Sequence, residues 1–117
     1  MAACLFFVAR ASANAQRRGQ TANVHQSDRM LFERAQKAIQ KSNYAEARNL
    51  LETLIDTHPA SDYVPRAKIS IADSYYSQQA FRQAELEYRD FITFFPNRPE
   101  VADAQHRIDS IDNKLSF

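Results

Sequence analysis

Apolar residues recur at spacings of three and four along most of this chain. Leu31, Ala35, Ala38 and Ile39 fall on one helical stripe, widened by Met30 and Phe32, and Ser27-Asp28 suits its N-terminal cap. Ser42-Asn43 breaks the pattern. A second stripe runs through Tyr44, Ala47, Leu50-Leu51 and Leu54-Ile55 and ends at His58-Pro59, because a residue before proline avoids the helical region. Asp62 and Pro65 open a third stripe, Ala67, Ile71-Ala72 and Tyr75-Tyr76, with Asp62 as its expected cap. The fourth carries Phe81, Ala84, Tyr88, Phe91-Ile92 and Phe95 and stops at Pro96. The fifth carries Val101, Ala104, Ile108, Ile111 and Leu115.

These stripes repeat. Pro59 and Pro96, Ala47 and Ala84, Ala35 and Ala72, Tyr44 and Phe81 each lie 37 positions apart, and Ala67 and Ile71 return as Ala104 and Ile108. A fixed period in the range of 20–50 residues signals stacked supersecondary units that bury their apolar faces only against one another. The pattern predicts an all-α fold, an array of helical hairpins with two repeats and a half repeat. The recurring alanines suit helix crossings, where axes approach to about 8–10 Å. Tyr75, Tyr76, Phe81, Tyr88, Phe91, Phe94 and Phe95 read mostly as core.

Residues 1–27 differ. Cys4-Leu5-Phe6-Phe7-Val8-Ala9 is a short apolar run, followed by Ala11-Ser12-Ala13-Asn14-Ala15 with overlapping A-x-A triplets, but no basic segment precedes the run. A truncated export signal, a disordered tail and a structured element are the three readings. Met1-Ala2-Ala3-Cys4 also resembles the end of a lipobox, which makes Cys4 a weak candidate for lipidation. Gln16 to Ser27 is polar and reads as a flexible tether. The chain therefore divides into a leader and tether, 1–27, and a helical-repeat domain, 28–117.

Composition narrows the chemistry. The net charge of +1 gives no strong field to attract nucleic acid or an anionic membrane, so membrane contact is expected only through a possible lipid anchor, and no apolar run reaches the roughly 18 residues of a membrane-spanning helix. With one cysteine, no internal disulfide forms. One glycine leaves no material for a phosphate-cradling loop. His25, His58 and His106 are scattered and pair into no metal-binding spacing, so neither a metal nor another cofactor is expected. Glu33 and Lys37 have the spacing of a surface ion pair. No nucleophile–base constellation appears, and an enzyme is not expected.

Small residues on the first helix, an aromatic after the turn, alanine on the second helix and a closing proline form the tetratricopeptide pattern. Here those roles fall on Ala35, Tyr44, Ala47 and Pro59, then on Ala72, Phe81, Ala84 and Pro96. Ser42 and Gln79 stand where that family places a turn glycine. Ser27-Asp28-Arg29-Met30-Leu31-Phe32, Tyr75-Tyr76 and the run from Asp90 to Glu100, containing Phe-Ile-x-Phe-x-Pro-x-x-Pro, resemble the BamD-type lipoproteins of the outer-membrane β-barrel assembly machinery. The resemblance implies a non-catalytic protein-binding scaffold on the periplasmic side of the outer membrane, working with a barrel-shaped partner subunit. A different periplasmic scaffold of the same repeat, such as a coordinator of peptidoglycan synthesis associated with the Tol–Pal system, is the alternative. It usually carries a coiled coil ahead of its repeats, and no heptads precede Ser27. Members of the BamD type have more repeats than this chain, so a fragment of a longer array is also a reading.

In this repeat the first helices of successive hairpins line a concave groove. The lining positions are then Arg29, Phe32, Gln36 and Ile39, next Arg66, Ile69, Asp73 and Tyr76, and last Asp103, His106 and Ser110. Tyrosine and arginine are common anchors for partner proteins, and Arg29 with Arg66 suit a carboxylate such as a chain terminus. The open side of the fifth helix is expected to be apolar, since arrays need a polar cap, and so to offer a dimerisation surface.

Overall fold

The structure, a computed structural model, describes residues 26–116. The candidate leader, Cys4 and most of the tether lie outside the described residues. Five helices follow in order: α1 (Asp28–Gln40), α2 (Tyr44–Thr57), α3 (Tyr63–Ser77), α4 (Phe81–Phe94) and α5 (Glu100–Leu115). No strand occurs among the described residues. α1 pairs with α2 and α3 with α4 as hairpins, and α5 packs on α4 as the first half of a third unit.

The ends of these helices follow from local chemistry. Ser27 caps α1 by accepting a hydrogen bond from the Met30 backbone N–H at 3.1 Å. Asp28 in the first turn and Lys37 in the last complement the helix dipole. The expected cap of α3 is corrected. Asp62 occupies the cap position with helical backbone angles (φ −64°, ψ −17°) and makes no side-chain cap bond. The neighbouring Ser61 hydroxyl accepts from the Tyr63 N–H instead, at 3.0 Å, and donates its own proton to the Asp28 carboxylate. That one hydroxyl ties the start of α3 to the start of α1. His58 and Phe95 close α2 and α4 just before Pro59 and Pro96.

Both hairpin turns are built alike. The Asn43 N–H reaches the Ala38 carbonyl at 2.8 Å and the Ser42 N–H reaches that of Ile39 at 2.9 Å. The Ala80 and Gln79 N–H groups repeat this on Tyr75 and Tyr76 at 2.9 and 3.0 Å. This pair of bonds is the Schellman motif, which needs a left-handed residue after the helix. Ser42 and Gln79 fill that place, each with φ 62°. The positions matched to the family's glycine thus keep the glycine backbone without the glycine.

Two apolar clusters form one stacked core. Leu31, Phe32 and Ala35 of α1, Leu51 and Leu54 of α2, and Val64, Ala67 and Ile71 of α3 make the first. Ala72 of α3, Ala84, Tyr88 and Phe91 of α4, and Ala104, Ile108 and Ile111 of α5 make the second. α3 belongs to both, so neither hairpin closes its core without it. The alanines at 35, 47, 67, 72, 84 and 104 are fully buried. Small side chains there let the helices approach, and Leu, Ile, Tyr and Phe fill the space beside them. Full burial of Phe91 or Leu54 contributes about 1.5–3 kcal/mol each. Ser74 is the buried polar group; it donates to the Ile71 carbonyl at 2.6 Å and accepts from Arg48 at 3.0 Å.

Three expectations change. Phe94 is not core: it is 65% exposed, with the Lys68 ammonium 5.5 Å from its ring centre. Glu33 pairs with Arg29, one turn before it, at 2.9 Å, and not with Lys37. The open side of α5 is polar. Ala102, Gln105, Asp109 and Asp112 form its exposed stripe, and Leu115 is its one exposed large apolar side chain. Ala104, Ile108 and Ile111 are used up against α4, which removes the apolar surface on which dimerisation through α5 was expected.

Candidate protein-binding face

α1, α3 and α5 touch along one side of the array. Gln36 donates to the Ser70 hydroxyl at 3.3 Å, and Tyr76 and Ser110 share a hydrogen bond at 3.1 Å. The Arg66 guanidinium lies 4.6 Å from the centre of the Phe32 ring. Each of these pairs is 34 residues apart. Equivalent residues in the sequence are 37 apart, so α3 sits on α1, and α5 on α3, displaced by three residues. At 1.5 Å per residue the displacement is about 4.5 Å, nearly one turn. Among the described residues no hydrogen bond, ion pair or ring contact joins α2 to α4. The slab therefore curves with α1, α3 and α5 inside.

The displacement changes which lining residues meet. Equivalence by period sets Phe32 beside Ile69 and Gln36 beside Asp73. Instead Phe32 meets Arg66 and Tyr63, and Gln36 meets Ser70. At the α1 end, Phe32 is buried with its ring 5.1 Å from that of Tyr63, and Arg66 covers both rings. Phe32 is therefore the floor of the face. Arg29 is exposed and engaged by Glu33, and no contact joins it to Arg66. Ile39 is half-buried beside the hairpin turn.

At the α3–α5 junction the face opens into two hollows. The first, about 380 Å³, is lined by Ile69, Asp73, Tyr88, Glu100, Asp103, Ala104, His106 and Arg107. The second, about 490 Å³, is lined by Asp73, Tyr76, Ser77, Gln79, Phe81, Arg107 and Lys114. Asp73 and Arg107 border both. Tyr88, on α4, was expected only as core. It is buried, yet its hydroxyl donates to the Asp73 carboxylate on α3. Its helical spacing gave no sign of this second role. Arg107 lies 4.4 Å from the Tyr76 ring centre, Lys114 5.6 Å from that of Phe81, and Tyr76 and Phe81 meet edge to face at 5.4 Å.

The electrostatics of this corner follow from crowding. Asp73 is exposed as a residue, yet its carboxyl, held by the Tyr88 hydroxyl, is desolvated enough to lie above its ordinary range, against the opposing pull of that hydroxyl and of Arg107. Burial and the adjacent carboxylate push the Tyr88 hydroxyl far up, so it stays a proton donor. The Tyr76 hydroxyl is drawn down by its bond to Ser110. Among the described residues no three histidine, cysteine or acidic groups converge as a metal site. The face brings together ring surfaces, one carboxylate held by a hydroxyl, and guanidinium groups over aromatic rings.

Paired antiparallel helices with buried alanines at the crossings, stacked with the first helix of each pair inside, define an α-hairpin repeat protein of the tetratricopeptide class. The sequence comparison carries this to a family. Residues 24–115 match the YfiO family of outer membrane lipoproteins, and the chain belongs to that family. The match bears out the resemblance to the BamD-type lipoproteins. No curated protein matches the chain in sequence. No described helix is long and apolar enough to cross a membrane.

Proposed function

We propose that the chain is a non-catalytic protein-binding scaffold that supports outer-membrane protein assembly from the periplasmic side of the membrane. Residues 28–117 act as the binding domain. The segment 1–27 serves as leader and tether, with Cys4 the candidate for the lipid. The partners are other proteins, foremost subunits of the β-barrel assembly machinery, and no cofactor takes part. The observation that carries this reading is the continuous face of α1, α3 and α5. It presents Arg66 over Phe32 and Tyr63, then Asp73, Tyr76 and Arg107 around two open hollows. Rigid aromatics and flat arginines with spare hydrogen-bonding capacity are the usual anchors of protein interfaces.

Arg66→Glu combined with Tyr76→Ala tests the assignment. Affinity for the periplasmic portion of the barrel subunit, measured by titration calorimetry, is expected to fall at least about tenfold, which corresponds to about 1.4 kcal/mol. Helical circular dichroism and the melting curve check that the variant is folded. Equal affinity of a folded variant and the parent removes this face from the binding site.

A further inference from the structure

We propose that the outer face of the first hairpin docks on an anionic phospholipid surface. Arg34, Lys37 and Lys41 stand at successive spacings of three and four on α1, and so share one side of that helix. Met30, 51% exposed, extends the same side one turn toward the N-terminus. The three cations rim a shallow hollow of about 200 Å³ with Ala38, Asn43, Glu46 and Leu50. α1 is the first described helix, and among the described residues the hollow is lined by α1, its turn and α2 alone.

The way other cations are held sets this group apart. Among the described residues, Arg29, Arg89 and Arg98 are in ion pairs with Glu33, Glu85 and Glu100. Arg48, Arg66, Lys68, Arg107 and Lys114 lie over aromatic rings. Among the described residues Arg34, Lys37, Lys41 and Arg82 have neither kind of partner, and three of these four sit together on α1 and its C-terminal cap. Glu46 is the one acidic residue in the hollow, which leaves a local excess of positive charge. The opposite end of the array, on α5, carries Asp109 and Asp112 on its exposed stripe. The body is thus polarised from end to end although the chain is nearly neutral.

The place of this face argues for a membrane. The preceding chain leaves the array here: Gln26 accepts a hydrogen bond from Arg34 at 2.8 Å. That upstream segment is itself basic, with Arg10, Arg17 and Arg18, and so is no electrostatic complement to the hollow. The family is one of outer membrane lipoproteins, whose attachment brings a phospholipid leaflet close. Each lysine or arginine near an anionic surface strengthens attachment about fivefold, and the effect fades within a Debye length.

Cosedimentation of the full chain with vesicles tests the proposal. Binding to vesicles of phosphatidylcholine with phosphatidylglycerol is expected at low salt, and none to phosphatidylcholine alone. The triple variant Arg34→Gln, Lys37→Gln, Lys41→Gln is expected to bind about 100-fold more weakly. These side chains lie outside the core, and a melting curve verifies folding. The variant Arg17→Gln, Arg18→Gln is expected to retain most of the binding. Equal binding by the triple variant, or loss confined to the Arg17 and Arg18 variant, overturns the proposal. So does a salt-sensitive self-association, in sedimentation velocity, that disappears both in the triple variant and in Asp109→Asn with Asp112→Asn. That result would assign the hollow to the acidic end of a second copy.

Discussion

Ser42 and Gln79 carry the left-handed turn of each hairpin with a side chain in the way, and glycine in their place is expected to stabilise the protein. Both have φ 62°, and neither side chain makes a hydrogen bond. The left-handed conformation costs a residue with a β-carbon about 1–2 kcal/mol. Glycine removes that cost but has greater freedom in the unfolded chain, which returns about 0.4–1 kcal/mol. The net gain is about 0.5–1 kcal/mol per site. The sites lie in separate turns, so the double variant Ser42→Gly, Gln79→Gly is expected to gain about 1–2 kcal/mol. For a body of this size 1 kcal/mol moves the melting temperature by about 4–8 °C. Urea unfolding followed by circular dichroism gives the free energy, and a thermal melt gives the shift. Ser42→Ala separates loss of the hydroxyl from the backbone effect, and is expected to change little. A double variant that melts at or below the parent temperature refutes the turn argument.

Ala84→Trp, at a fully buried crossing in the second cluster, is expected to destabilise by about 1–3 kcal/mol or more, and an unchanged melt would contradict the packing. Asp73 provides a pH signature. Its folded carboxyl holds its proton more tightly than the unfolded one, whose ordinary value is 3.8. The stability from this group is therefore complete below that value and is lost as pH rises through the raised one. Asp73→Asn is expected to flatten this loss, so the variant gains on the parent as pH rises from about 3 to 7. Parallel urea midpoints for the two proteins across that range would contradict the assigned shift.

The helices were legible because apolar spacing agrees with the breaks between them, prolines after α2 and α4 and short polar turns after α1 and α3. The pairing of hairpins was legible because the alanines recur with the same period as the prolines. The relative height of neighbouring helices was not. A sequence period identifies equivalent positions, but contacts between units depend on how the alanine crossings seat. That is why Phe32 meets Arg66 rather than Ile69. Asp62 holds the expected cap position of α3, but the side-chain bond to that helix end comes from Ser61, one residue earlier, because both residue types suit the work. The serine wins through its second bond, to Asp28, 33 residues away. Phe94 reads as core by its neighbours Phe91 and Phe95, yet projects outward, where the Lys68 ammonium lies over its ring. The polar stripe of α5 was hidden by its own amphipathicity: the apolar side that looked unoccupied is the side that α4 takes. Tyr88 shows why the site was only half readable. Its ring obeys the core pattern, and only the fold reveals that its hydroxyl emerges at the groove.

The three-residue slip between successive inner helices has a consequence for whatever lies across them. Axes about 8–10 Å apart are bridged by roughly three residues of extended chain. The slip tilts the shortest line through matching contacts, because each step across also moves about 4.5 Å along the axis. Matching contacts on successive inner helices therefore lie about 9–11 Å apart along a line inclined to the helix axes. A rigid cylinder laid straight across would lose register by the third. The inner face is thus a set of inclined rungs, and a surface that matched all three inner helices would have to share their tilt.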